Sequence, residues 1–196
     1  MRPTTSILLA CALAGAGAAC SDANSLPDAT LDNRVDTVTV FSLKGTPLTS
    51  PSGYSVLNAR VVRTDQEDEF DFAYDVDTDA AGTTVVRRKL VPLGALGLSR
   101  SGFDPGMQLA EEEFGGIDRA RIDGFTNDTA LTAEVGSTYL LRSRTGNDVC
   151  SGLAAMYGKL QVLSFDDTPG QRSVTFQVLV NNNCGYLDLT PGLPED

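Results

Sequence analysis

The residues best placed to do chemistry in this 196-residue chain are acidic. The stretch "DVDTDAAG", Asp75 to Gly82, sets Asp75, Asp77 and Asp79 at alternate positions. A calcium-binding EF-hand loop begins with that spacing, but it also needs Gly at its sixth position and Glu at its twelfth. Those positions hold Ala80 and Val86, so the EF-hand reading fails. Asp65, Glu67, Asp68, Glu69 and Asp71 lie just upstream, which crowds eight carboxylates into fifteen positions. Asp75, Asp77 and Asp79 are the candidates for a weak divalent-cation site at a loop. A solvated strand face followed by a turn is the expected role.

Other chemistries are narrowed by what the composition lacks. There is no His and no Trp. Without His the Ser-His-Asp and Cys-His nucleophile systems are absent, as is the usual general base near neutral pH. The commonest zinc and haem ligand goes with it. Ser-Lys pairs or paired carboxylates would be the remaining catalytic routes. Lys44, Lys89 and Lys159 each have Ser or Thr nearby in sequence, yet neither S-x-x-K nor G-x-S-x-G occurs. A non-catalytic protein is therefore expected, with an envelope hydrolase using carboxylates as the least favoured alternative. The formal net charge is −11, and it becomes −12 once Arg2 leaves with residues 1–19. Such a surface repels nucleic acid and anionic lipid, which excludes nucleic acid as a partner.

The elements that must position these residues have a period of two. "VDTVTVFSL" (Val35 to Leu43), "SVLNARVVR" (Ser55 to Arg63), "FDFAYDVD" (Phe70 to Asp77) and "TTVVRRKLVPL" (Thr83 to Leu93) read as strands, as do "STYLLRSR", "MYGKLQVLSF" and "RSVTFQVLV". Phe70, Phe72, Tyr74 and Val76 alternate with Asp71, Ala73, Asp75 and Asp77, one face apolar and the other acidic. Only "PGMQLAEEEF" (Pro105 to Phe114) offers a short helix, with Pro105 in its first turn and Gly115–Gly116 as its stop. The expected architecture is one all-β, antiparallel β-sandwich-like domain over residues 35–196, with at most that one short helix.

"DDTPGQ" (Asp166 to Gln171) is a turn signal between the last two long strands. Pairing about that turn makes partner numbers sum to about 337. Cys150 and Cys184 sum to 334, almost opposite each other at the open end of the hairpin. A disulfide there would close a loop of roughly 35 residues and contribute about 3.5 kcal/mol in the chain-entropy model. "NNNCGY" (Asn181 to Tyr186) reads as a turn held by that bridge, or as a polar recognition loop at a sandwich end.

Residues 1–19 read as a secretory signal: Arg2, then the apolar "SILLACALAGAGAA", too short to span a bilayer. "GAAC" (Gly17 to Cys20) resembles the lipobox of bacterial lipoproteins, with Gly17 where that family usually carries Leu. The resemblance implies cleavage before Cys20 and acylation of its amine and thiol, hence a membrane partner through a lipid anchor. Ordinary cleavage after Ala16-Gly17-Ala18 is the alternative. Cys11 leaves with the signal, and lipidation of Cys20 would remove the odd thiol beside Cys150 and Cys184. Ser21, rather than Asp, follows the cysteine, which by analogy with enteric lipoproteins implies the outer membrane. Residues 20–34, polar and containing Pro27, read as the acylated cysteine and a flexible tether.

The order "FDFAYDVD", "STYLLRSR", "YGKLQVLSF" and "VTFQVLV", over roughly residues 70–181, resembles the HmuY-like surface lipoproteins. The matching residues are Phe70-Asp71, Tyr139 to Arg142 and Tyr157 to Leu160, with Phe70 in place of Trp and Ser143 in place of Thr. The resemblance implies an all-β lipoprotein domain and, in the founding members, haem capture through axial histidines. This chain has none, which leaves the thioethers of Met107 and Met156 as its only haem-ligand candidates, with core packing as their ordinary role. The expectation is thus an envelope lipoprotein binding a small ligand or an envelope protein. A haem or metallophore scavenger is the alternative.

Overall fold

The computed structural model describes residues 26–98, 104–146, 149–150 and 154–195. Ten strands run in order: β1 (Arg34–Phe41), β2 (Gly53–Ser55), β3 (Arg60–Val62), β4 (Phe72–Thr78), β5 (Val85–Pro92), β6 (Gly106–Ala110), β7 (Leu131–Thr132), β8 (Thr138–Arg142), β9 (Tyr157–Asp166) and β10 (Ser173–Asn181). They form two five-stranded antiparallel sheets, β1-β10-β9-β8-β6 and β3-β2-β4-β5-β7. The all-β, sandwich-like expectation is met.

The alternation read from "FDFAYDVD" sends Phe72, Tyr74 and Val76 between the sheets, but Phe70 packs apart from them with Ala73 and Leu93. The expected solvated acidic face is covered, with Asp71 and Asp75 buried and Asp77 half-buried. Phe72 meets Tyr54 and Phe176 with ring centroids 5.6 and 6.0 Å away, and Tyr54 meets Phe176 edge-on at 5.7 Å. Truncating such a ring to Ala costs about 3–5 kcal/mol, so this trio is a main tie between the sheets. Leu140 and Leu179 point the other way. They pack beneath Phe114, Ile117 and Leu189, so residues 111–125 and the C-terminal segment cover the outer face of the first sheet. This explains the near-continuous apolar runs of β8 and β10, which are buried on both faces.

Three further expectations change. The helix over Pro105–Phe114 is a strand: β6 pairs with β8 from Gly106↔Arg142 to Ala110↔Thr138, followed by a single 3-10 turn at Phe114–Gly116. An isolated helix shorter than about 12 residues is marginal, and five ladder pairs outcompete it. "SVLNARVVR" is not one strand but the end of β2, a turn over residues 56–59 and then β3. The Asp71 carboxylate accepts the Val56 N–H at 2.5 Å, Ser55 Oγ accepts the Asn58 N–H at 3.3 Å, and Ala59 takes φ 47°. Side-chain capture of these amides competes with a ladder. Residues 26–33, read as tether, lie on the domain instead. Asn183 Oδ1 accepts the N–H groups of Thr30 and Leu31 at 2.9 and 3.1 Å, and Tyr186 Oη donates to Pro27 O at 2.9 Å.

The disulfide expectation holds. β9 and β10 pair as Ser173↔Asp166 through Asn181↔Tyr157, and Cys150 is bonded to Cys184 with Cα atoms 5.5 Å apart. Cys20 lies outside the described residues.

Candidate functional site

β10 runs from Ser173 to Asn181, about 30 Å at strand rise, and so gives the sandwich two chemically different ends. One end carries the disulfide and the docked residues 26–33. The other carries the turns after β1, β4 and β9, with two clefts between them.

The first cleft, about 450 Å³, is lined by Arg88, Glu134, Val135, Leu163, Phe165 and Asp167 among others. Arg88 shares the inward parity of Leu90 on β5, opposite Val76 on β4, and so aims across the gap between the sheets. Its Nε donates to Asp167 Oδ1 at 3.2 Å, its Nη2 to Asp167 Oδ2, and its guanidinium lies 4.6 Å from the centre of the Phe165 ring. Phe165 in turn stacks on Tyr74 at 6.1 Å. Tyr74 is fully buried and its hydroxyl has no hydrogen-bond partner among the described residues. Burial pushes its pKa well above the ordinary tyrosine value. The cleft thus combines an apolar wall with the Arg88–Asp167 ion pair and the Glu134 carboxylate.

The second cleft, about 390 Å³, is lined by Lys44, Gly45, Val76, Asp77, Thr78, Gly82 and Arg172. The three aspartates singled out by spacing reach this region but go to separate partners. Asp75 is buried and meets Lys44 Nζ at 3.1 Å and Ser42 Oγ at 3.3 Å. Asp77 takes Lys89 Nζ and Arg87 Nη2, each at 2.6 Å, and the two cations pull its pKa down to about 2. Asp79 accepts the N–H groups of Thr83 and Thr84 at 2.9 and 3.2 Å, and these bonds hold its pKa at about 2. Among the described residues no three acidic, Cys or His side chains converge to hold a metal ion. Two of the upstream carboxylates are likewise tied locally, Asp65 to Arg63 and Glu67 to Arg60.

Met107 and Met156 share the inter-sheet core and are almost fully buried, Met107 on β6 rather than on a helix. Neither cleft reaches them. Both belong to the apolar core cluster that also holds Tyr139, Leu141 and Leu160, so among the described residues their thioethers are buried in packing, which does not fit haem ligation.

The lysine ammonium groups do not pair with hydroxyls either. Lys44 and Lys89 go to Asp75 and Asp77, while Lys159 is buried, donates to Ile117 O at 2.6 Å and lies 4.7 Å from the Phe114 ring. Burial lowers its pKa. Sequence reasoning missed Arg88, Tyr74 and Arg172. Arg88 carried a signal, its core-side parity with Leu90; Arg172 immediately precedes β10 and carried none. No helix among the described residues is long and apolar enough to cross a membrane. A scan against protein-family models, a search of curated proteins and a search of solved structures each find no match to this chain.

Proposed function

We propose that this chain is a non-catalytic lipoprotein of the bacterial envelope, acylated at Cys20, which binds a ligand or partner protein at the turn end of its sandwich. The supporting observation is the polarity of the domain. Leu26 packs against Gly185 beside Cys184, and Tyr186 holds Pro27, so the chain leaves the domain at the disulfide end. Five residues separate Cys20 from Leu26, six chain steps with a reach of at most about 20 Å. An acyl anchor at Cys20 would hold the disulfide end near the bilayer and turn both clefts towards open solvent. Lipoprotein acylation supplies more than one chain, which is what stable anchoring needs.

The haem-scavenging alternative has no comparable support, since its only thioether candidates are sealed in the core. The hydrolase alternative would need two uncommitted carboxylates facing each other across a cleft, and Asp77 in the second cleft and Asp167 in the first are each held by cations.

The test is mass spectrometry of the protein purified from its own membranes. A chain beginning at Cys20, heavier by acyl groups and lighter by two hydrogens for the Cys150–Cys184 bridge, is the expected result. A mature chain with no acyl mass removes the anchor and the orientation built on it. Native spectra that show a co-purified mass leaving on denaturation assign a small ligand. Spectra of the bare chain assign a protein partner, to be sought by crosslinking in the envelope.

A further inference from the structure

We infer that the second cleft is a binding site for an oxyanion, phosphate or carboxylate, carried on a small molecule, with Arg172 as its floor and Lys44 at its rim. The inference rests on the reading of the turn end as a ligand-binding surface and names the chemistry bound there.

Arg172 is only 4% exposed, and buried charges are ordinarily paired. Its guanidinium has no carboxylate at salt-bridge distance among the described residues. Nη2 donates to two neutral carbonyls, Gly82 O at 2.7 Å and Thr83 O at 3.3 Å. Nε is buried with no partner, and Nη1 makes no hydrogen bond among the described residues. Nη1 lies against Gly45, where a Cβ would stand 2.7 Å from it. Gly45 has φ 74°, a conformation that favours glycine, so the turn both adopts its shape and admits the guanidinium because no side chain is present. The two residues face the same opening.

The surrounding charge agrees. Asp75 and Asp77, whose carboxylates would repel an anion, are neutralised by Lys44, Arg87 and Lys89, and Asp79 is turned onto the backbone of its own loop. Lys44, Arg87, Lys89 and Arg172 against these three aspartates leave one positive charge in excess, on a protein whose net charge is −11. Lys44 keeps 69% of its side chain exposed, so its ammonium can meet a ligand at the rim while staying beside Asp75. Nη2 is taken by the two carbonyls and Nε is enclosed, so Nη1 is the guanidinium donor left for a ligand, and with the Lys44 ammonium it can meet two oxygens of a phosphate or carboxylate. The volume, about 390 Å³, suits a small molecule.

The experiment is a titration of ¹⁵N-labelled full-length protein in neutral detergent with inorganic phosphate, then acetate, against sodium chloride at equal ionic strength. The readouts are the Arg172 Nε–H resonance and the Gly45 and Gly82 amides. Saturable shifts with phosphate assign a phosphoryl ligand, and saturable shifts with acetate assign a carboxylate. Lys44→Met should weaken the response about fivefold, the scale of one exposed charge. Arg172→Gln should weaken it more than about tenfold, as a charged hydrogen bond is lost. If Arg172→Gln does not fold, Lys44→Met decides. Shifts no different from those in chloride overturn the inference, as do saturable shifts that neither substitution alters. The mass spectra proposed above do not depend on this cleft, so the anchored-binder reading and the oxyanion site can fail separately.

Discussion

Asp71 provides the sharpest test of the physical picture. Its carboxylate is 2% exposed, meets Arg144 Nε at 3.6 Å and accepts the Val56 N–H. Desolvation outweighs these favourable contacts and raises its pKa from 3.8 to about 6. A carboxyl whose pKa is higher folded than unfolded binds more protons in the folded state between those two values. Its stabilising effect is therefore complete below about pH 4 and is lost as pH rises through 6. Two units at about 1.4 kcal/mol each amount to about 3 kcal/mol, or about 6–12 °C in Tm for a domain of this size. The carboxylates with depressed pKa act elsewhere: Asp77 and Asp79, both near 2, give stability that is present above about pH 4 and lost on further acidification. The window from pH 4.5 to 6.5 thus belongs mainly to Asp71, with a smaller contribution from growing repulsion among surface carboxylates. Thermal unfolding followed by circular dichroism, in steps of half a pH unit at fixed ionic strength, should show Tm falling across that window. In Asp71→Asn, whose Oδ1 can still accept the Val56 amide, most of the slope should vanish. A wild-type Tm that rises across the window, or an unchanged slope in the variant, would refute the assignment.

The remaining predictions concern three buried contacts. Reducing Cys150–Cys184, or replacing both by Ser, removes a crosslink between positions 34 apart in sequence and should lower the urea midpoint by the equivalent of about 3–4 kcal/mol; an unchanged midpoint would mean the bridge constrains little of the unfolded chain. Tyr74→Phe removes a buried hydroxyl that has no partner among the described residues, and should stabilise the protein by about 1 kcal/mol in urea unfolding. Destabilisation instead would reveal a partner for that hydroxyl, such as a ligand in the first cleft. Lys159→Ala deletes the bond to Ile117 O and the contact with Phe114, at a cost of about 2–3 kcal/mol, and hydrogen exchange should quicken in residues 111–120 before the sheets respond. Uniform quickening would show that this segment is not a separate layer.

Much of the fold was legible because period-two patterning is a direct consequence of strand geometry. "FDFAYDVD" named Phe72, Tyr74 and Val76 as an inward face, though not the burial of Asp71 and Asp75, and the "DDTPGQ" turn fixed a register good enough to bring Cys150 opposite Cys184. What escaped were features decided by tertiary competition. "PGMQLAEEEF" has helical signals at both ends, but its amides gain a complete ladder on β8. "SVLNARVVR" alternates like a strand, but a carboxylate fifteen residues downstream captures its turn. Lys159 sits on the outward parity of β9, where solvent is the ordinary neighbour, and only the crossing of residues 111–125 buries it.

The candidate site was less legible for a related reason. Spacing drew attention to Asp75, Asp77 and Asp79 because acidic clusters are conspicuous in sequence, yet what matters in the folded chain is which charges lack partners. Each aspartate is satisfied by a cation or by backbone N–H groups brought in by strand pairing or a local turn. Arg172, an unremarkable basic residue just before β10, is left with only neutral carbonyls at this end, because the turns carrying Gly45 and Gly82 meet above it. A chain can neutralise its acidic stretch and expose a cationic cleft at the same place, since pairing consumes charge locally while net charge sums over the whole surface. That is why a protein of net charge −11 can hold a site for anions, and why the site should select small oxyanions over extended polyanions. A phosphate-rich polymer must face the whole acidic surface, whereas a small anion meets only the cleft.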